Sequence, residues 1–130
     1  MEACTPTRKI LIIEDDCNFQ ALMSVFLCEN GFDVESANSG GAGIKKALCC
    51  KPDLILMDYD LGDMQGHEAA FWLEHMKGTR NIPVVLLSGL AGAPEITSLI
   101  GKHAICKGIL SKTQPPDEIL QYIKTLLSWR

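Results

Sequence analysis

Short apolar runs alternate along this chain with longer segments whose apolar residues recur at helical spacing. The runs are KILII (9–13), a weaker FDVESA (32–37), DLILM (53–57), PVVLLS (83–88) and AICKGIL (104–110). Such alternation predicts an α/β fold in which parallel strands are covered by helices on both faces. Five strands and five helices result. The segment CNFQALMSVFLCEN (17–30) places Phe19, Leu22, Met23, Phe26 and Leu27 on one face, with Asp16 as N-cap and Gly31 as C-cap residue. SGGAGIKKALCC (39–50) is a poorer helix, capped by Ser39, because Gly41 and Gly43 each cost about 1 kcal/mol relative to Ala. HEAAFWLEHMKG (67–78) should end at Gly78, and APEITSLIGKH (93–103) opens with Pro94 in its first turn. PPDEILQYIKTLLSWR (115–130) repeats Ile119, Leu120, Ile123, Leu126 and Leu127 at core spacing, with Tyr122 and Trp129 open to an outward docking role.

The 130 residues suit one compact domain, and no linker, repeat or low-complexity tract divides them. Residues 1–130 are therefore expected to form a single domain, with its core over about 8–127 and residues 1–7 as an N-terminal extension. No run approaches the roughly 20 apolar residues that cross a bilayer, and MEACTPTRKI has no secretory pattern. A cytoplasmic protein without membrane contact is the expectation. The net charge of −4, with lysines scattered along the chain, lacks the clustered basic footprint of a direct nucleic-acid binder. The six cysteines (Cys4, Cys17, Cys28, Cys49, Cys50, Cys106) form no C-x-x-C and read as reduced, mostly buried small hydrophobes. His67, His75 and His103 have no metal-ligand spacing and read as surface residues.

The chemistry lies at the ends of the strands. In an open parallel sheet, ligands bind beyond the carboxyl ends. The first run ends in Glu14, Asp15 and Asp16, the third in Asp58, the fourth in Ser88 and Gly89, and Lys112 follows the fifth. One rim would thus carry several carboxylates, a hydroxyl and an ammonium. Clustered carboxylates repel one another unless a cation neutralises them, and oxygen-only ligation with few protein ligands suits Mg²⁺. The set reads as a phosphoryl-transfer centre in which Asp58 is the nucleophile, Glu14 and Asp15 flank the metal, and Ser88 and Lys112 stabilise phosphoryl oxygens. Asp60 and Asp63, just beyond Asp58 in DYDLGDMQG, read as turn-forming, solvated aspartates.

Four elements in this order resemble the receiver domains of bacterial two-component response regulators: the acidic pair in ILIIEDD, the stretch PDLILMDYDLGDMQG, Ser88 in IPVVLLSG, and Lys112 in GILSK. The resemblance covers residues 8 to 127 and implies a single flavodoxin-like, doubly wound, five-stranded sheet of order 2-1-3-4-5. It implies phosphotransfer to Asp58 from a histidine kinase, a phosphotransfer protein or a small phosphodonor. Mg²⁺ would be held by Asp15, Asp58 and the Asp60 main-chain carbonyl, with Glu14 acting through water. The implied output is a changed affinity of the face built from the fourth helix, fifth strand and fifth helix for a downstream protein target, a fused output or kinase domain outside this chain, or a second copy in a homodimer. Such a module assists its own phosphorylation and dephosphorylation without being a turnover enzyme.

Departures from the family pattern are specific. Thr113 stands where proline usually follows the lysine, Ile109 where the fifth strand usually carries an aromatic switch, Gly62 where proline is frequent, and Gly89 where alanine is common. Gly62 should loosen its loop, and Gly89 should leave room for a phosphoryl group. Two other readings stay open. One is a receiver fold kept as a protein-interaction module with weak or no phosphorylation. The other is a haloacid-dehalogenase-type phosphatase in which Asp58 is nucleophile and Asp60 general acid-base, a motif that usually lies on a first strand.

Overall fold

The computed structural model describes residues 7–89, 97–98 and 100–128. In chain order the elements are β1 (Lys9–Ile13), α1 (Cys17–Glu29), β2 (Asp33–Ala37), α2 (Gly40–Cys50), β3 (Leu54–Asp58), α3 (Gly66–His75), β4 (Val84–Ser88), β5 (Cys106–Ser111) and α4 (Pro116–Ser128). All five strands pair in parallel in the order β2-β1-β3-β4-β5. The described residues hold four helices rather than five. The helix predicted over 93–103 falls partly outside them; of its described residues, Thr97, Ser98 and Ile100 are helical and the Gly101 N–H donates to the Thr97 carbonyl at 3.0 Å.

Side chains of a strand alternate between the two faces of its sheet, and here both faces are covered. Leu11, Ile13, Ile55, Met57, Val84 and Leu86 pack against Ala47 of α2 and Ala69, Ala70 and Leu73 of α3. Ile10, Ile12, Leu54, Leu56, Val85 and Leu87 meet Met23 and Leu27 of α1 and Ile119, Ile123 and Leu127 of α4. That double burial explains why β1, β3 and β4 read as unbroken apolar runs.

The expected caps form. Asp16 accepts from the Asn18 and Phe19 N–H groups at 3.0 and 3.3 Å, Ser39 accepts from Ala42 N–H at 3.1 Å, and Gly31 takes a φ of +94° after α1. Four expectations change. Leu22 is 73% exposed because α1 turns the stripe Phe19, Met23, Phe26 and Leu27 to the sheet and leaves Leu22 on its flank with Val25. α3 stops at His75 rather than Gly78, since Met76 is extended and the buried Thr79 hydroxyl donates to the Leu73 carbonyl at 2.7 Å. Cys17, Cys28 and Cys49 are exposed on the outer sides of α1 and α2, Cys50 and Cys106 are half-buried, and Cys4 lies outside the described residues. Tyr122 folds over Gly108 and donates to the Lys107 carbonyl at 2.7 Å, so it belongs to the packing under α4 and not to an outward face; Trp129 lies outside the described residues.

Candidate functional site

Strand register brings the polar residues to one rim. Ile13 pairs with Met57, Asp58 with Leu87, and Ser88 with Ser111, so Glu14, Asp58, Ser88 and Lys112 leave the sheet at nearly the same level. The Glu14 N–H continues the ladder to the Ala37 carbonyl at 2.9 Å, and the Lys112 N–H donates to the Ser88 carbonyl at 3.2 Å. Backbone bonds therefore fix the depth of the site before any side chain acts.

Glu14, Asp58 and Ser88 are buried, whereas Asp15 and Asp60 are exposed. The Lys112 ammonium lies 3.1 Å from Glu14 Oε2 and 3.5 Å from Asp58 Oδ2. It also sits 4.7 Å from the centre of the Phe19 ring, a cation–π contact beneath the ion pairs. Burial pushes the Glu14 carboxyl up to about 7 against the lowering effects of the Asp16 N–H and Lys112. Burial likewise raises Asp58, opposed by Lys112, the Glu14 carboxyl and the Asp60 N–H. For Lys112 burial works downward, but the hydrogen bond it donates to Glu14 and the charges of Asp58 and Glu14 outweigh it and raise the ammonium. One cation is shared between two carboxyl groups that burial pushes toward their neutral forms.

The donor set fits a hard divalent cation. Glu14, Asp15 and Asp58 each offer an oxygen, all within 4.8 Å of one another. Glu14 uses Oε2 for Lys112 and the Asp16 N–H, yet its buried Oε1 has no hydrogen-bond partner among the described residues. A buried carboxylate oxygen left unpaired is costly, and a cation in this cluster would satisfy it.

Asp60 begins a closed loop. It forms an isolated antiparallel bridge with Gln65, the Leu61 N–H donates to the Met64 carbonyl at 3.1 Å, and Gly62 has a φ of +83°. Proline, locked near −65°, cannot adopt that backbone, so Gly62 serves the turn and the expected loosening is replaced by a tight one. A Cβ at Gly62 would lie 3.6 Å from Asp15 Oδ2, which places this turn beside the acidic cluster. Asp63 is no solvated bystander: its two oxygens accept from the Gly40 and Gly41 N–H groups at 2.9 and 3.0 Å, and these bonds hold its carboxyl below the usual range.

Other expectations sort plainly. No cis peptide occurs among the described residues, so Lys112 and Thr113 are joined in trans. Ile109 is half-buried against the cluster under α3, and Gly89 is exposed, with no atom of the described residues within 4 Å of an added Cβ. Of the three histidines only His75 is exposed: His67 Nδ1 lies 2.7 Å from the Tyr59 hydroxyl and His103 Nδ1 lies 3.7 Å from Glu74. Two contributors escaped the sequence reading. Phe19 looked like a core residue of α1, and Asp63 has its partners more than twenty positions away, with no local signal for either role.

Comparison with known proteins points to one family. The family model described as the response regulator receiver domain matches residues 10–124. Transcriptional regulatory protein GltR of Pseudomonas aeruginosa is 31% identical over 121 residues, which cover 92% of this chain and 49% of GltR. The chain thus spans about half the length of the first curated relatives it matches. A CheY-like receiver domain protein from Methanospirillum hungatei superposes with a TM-score of 0.87 at 24% identity, covering 95% of both chains. The receiver domain of sensor histidine kinase PA1611 from P. aeruginosa, described with a magnesium ion coordinated in its active-site cleft, gives a TM-score of 0.82 at 21% identity over 92% of this chain and 97% of its own. Receiver domains are signalling modules of two-component systems, and among the described residues no helix is long and apolar enough to cross a membrane. With the matched model running from β1 into α4, the chain belongs to the response regulator receiver domain family.

Proposed function

We propose that residues 1–130 act as one cytoplasmic phosphoacceptor switch, taking a phosphoryl group on Asp58 from a histidine kinase, a phosphotransfer protein or a small phosphodonor. The observation that carries this reading is the convergence at one rim of Glu14, Asp15 and Asp58 with Lys112, together with the unpartnered Glu14 Oε1. An Asp58 carboxylate oxygen attacks the donor phosphorus. In the kinase case the phosphorus–nitrogen bond breaks, its electron pair returns to the imidazole, and Asp58 becomes an acyl phosphate. Lys112, already 3.5 Å from Asp58, opposes the effect of burial on that carboxyl before transfer and faces the added negative charge afterwards. Ser88, one residue beyond the register partner of Asp58, is positioned on β4 to donate to a phosphoryl oxygen. Gly89 beside it carries no side chain to crowd that group. Mg²⁺ would be held by Asp15, Asp58 and the Asp60 carbonyl, with Glu14 acting through water, and supplies neutralisation of phosphoryl charge in the transition state.

The added charge then shifts a two-state equilibrium and alters binding of a downstream protein. With Ile109 in place of an aromatic switch, that shift propagates by packing changes at β5 rather than by ring rotation. Intact-mass spectrometry after incubation with acetyl phosphate tests the reading. One phosphoryl adduct that requires both Mg²⁺ and Asp58, and is lost in Asp58→Ala, is expected. Its absence from folded, Mg²⁺-supplied protein, and again with a cognate kinase, would leave a protein-interaction module.

A further inference from the structure

The Asp63 carboxylate spans two of the amides that α2 leaves without internal partners. A helix cannot satisfy its first N–H groups from within. Here Ser39 takes the Ala42 N–H, and Asp63 takes those of Gly40 and Gly41 from across the rim. Next to it, Met64 lies so close to Gly40 that an added Cβ would stand 2.5 Å from Met64 Cγ. Both contacts come from the loop that leaves Asp58. The same loop carries Asp60, closes on itself through Leu61 N–H and the Met64 carbonyl, and places Gly62 beside Asp15.

We infer that Asp63 is a positioning residue: by fastening the loop after Asp58 to the start of α2, it fixes the backbone that this loop presents to the acidic cluster. The metal half of the inference rests on the proposed Mg²⁺ site; the fastening itself does not. Gly62 supplies the positive φ that closes this turn, and the Asp63 bonds tie the closed turn to α2 from outside the loop. Residues that orient a ligand-bearing segment commonly change metal affinity 10- to 100-fold when removed.

Two measurements separate the possibilities. In metal-free protein, amide hydrogen exchange followed by NMR should show Gly40, Gly41 and Leu61 protected. Asp63→Ala should speed all three about tenfold, and Asp63→Asn, which keeps one accepting oxygen, should speed them less. Calorimetric titration with Mg²⁺ should give a dissociation constant about tenfold weaker for Asp63→Ala, with Asp63→Asn between it and wild type. Should Asp63→Ala not fold, Gly40→Ala reaches the same contact by displacing Met64 and should move both readouts in the same direction. Faster exchange at Gly40 and Gly41 alone, with Leu61 and Mg²⁺ affinity unchanged, would reduce Asp63 to a helix cap and overturn the inference. If wild type takes up no Mg²⁺, the metal reading fails, and exchange at Leu61 alone decides the fastening.

Discussion

β3 and β5 each deliver one essential-looking side chain to the rim, but from very different settings. Every residue of β3 is buried, and Leu54, Ile55, Leu56 and Met57 are wholly inaccessible below Asp58. β5 is an edge strand whose residues are mostly half-exposed, with a register shift opposite Val84 and Val85, and it leads to Lys112. A side chain at the end of a fully packed strand has little freedom, whereas one beyond an edge strand on a four-carbon stem can re-aim. The Asp58 carboxylate is thus the fixed point of the site and the Lys112 ammonium its adjustable partner. That division suits the proposed switch, in which Lys112 pairs first with a carboxylate and then with a phosphoryl group.

The comparison can be tested from its strong side downward. Leu56→Ala, emptying space below Asp58, should cost about 3 to 4 kcal/mol in chemical denaturation. Leu110→Ala, on the half-buried strand, should cost nearer 1 kcal/mol; equal losses would end the contrast between the strands. The next effect is pH-dependent. Because the Glu14 carboxyl lies near 7 in the fold and near 4.5 when unfolded, the native state holds the extra proton between those values. Stability of the metal-free protein is therefore greatest below about 4.5 with respect to this group and falls as pH rises through 7, by on the order of 3 kcal/mol. Asp58, also raised, adds in the same direction. Thermal melting at pH 5 and pH 8 should show the drop, Glu14→Gln should flatten it, and Mg²⁺ should stabilise more at pH 8 than at pH 5. Lys112→Met should cost about 2 kcal/mol at pH 8, above the raised Glu14 value, and clearly less at pH 5. Smallest of all, Leu22→Ser on the exposed flank of α1 should stay within about 0.5 kcal/mol of wild type.

Much of this was legible because it is written in adjacent residues. Strand ends are set by where an apolar run stops, so Glu14, Asp15, Asp58, Ser88 and Lys112 could be assigned to one rim without knowing a single contact. Asp16 and Ser39 were readable as caps because a cap bonds two or three residues ahead. Leu22 was not, since α1 carries no charged residue before Glu29 and its apolar stripe has no sharp phase. Asp63 was not, because an aspartate in a turn looks the same whether it faces water or the amides of a distant helix. The end of α3 depended on Thr79 reaching back six residues to Leu73, a tertiary choice that the glycine signal at position 78 could not foretell.

Three of the first four residues of α2 are glycines, and the last of them, Gly43, lies so close to β1 that an added Cβ would meet Ile13 Cδ1. At about 1 kcal/mol each, those glycines leave the segment with little tendency to be helical by itself. Its helix exists because β1 offers a surface it can approach closely and because the Asp63 loop holds its first turn. α2 therefore draws its stability from β1, β2 and α3 and from the Asp63 loop rather than from its own sequence, and its amides are expected to exchange sooner than those of α1, α3 and α4.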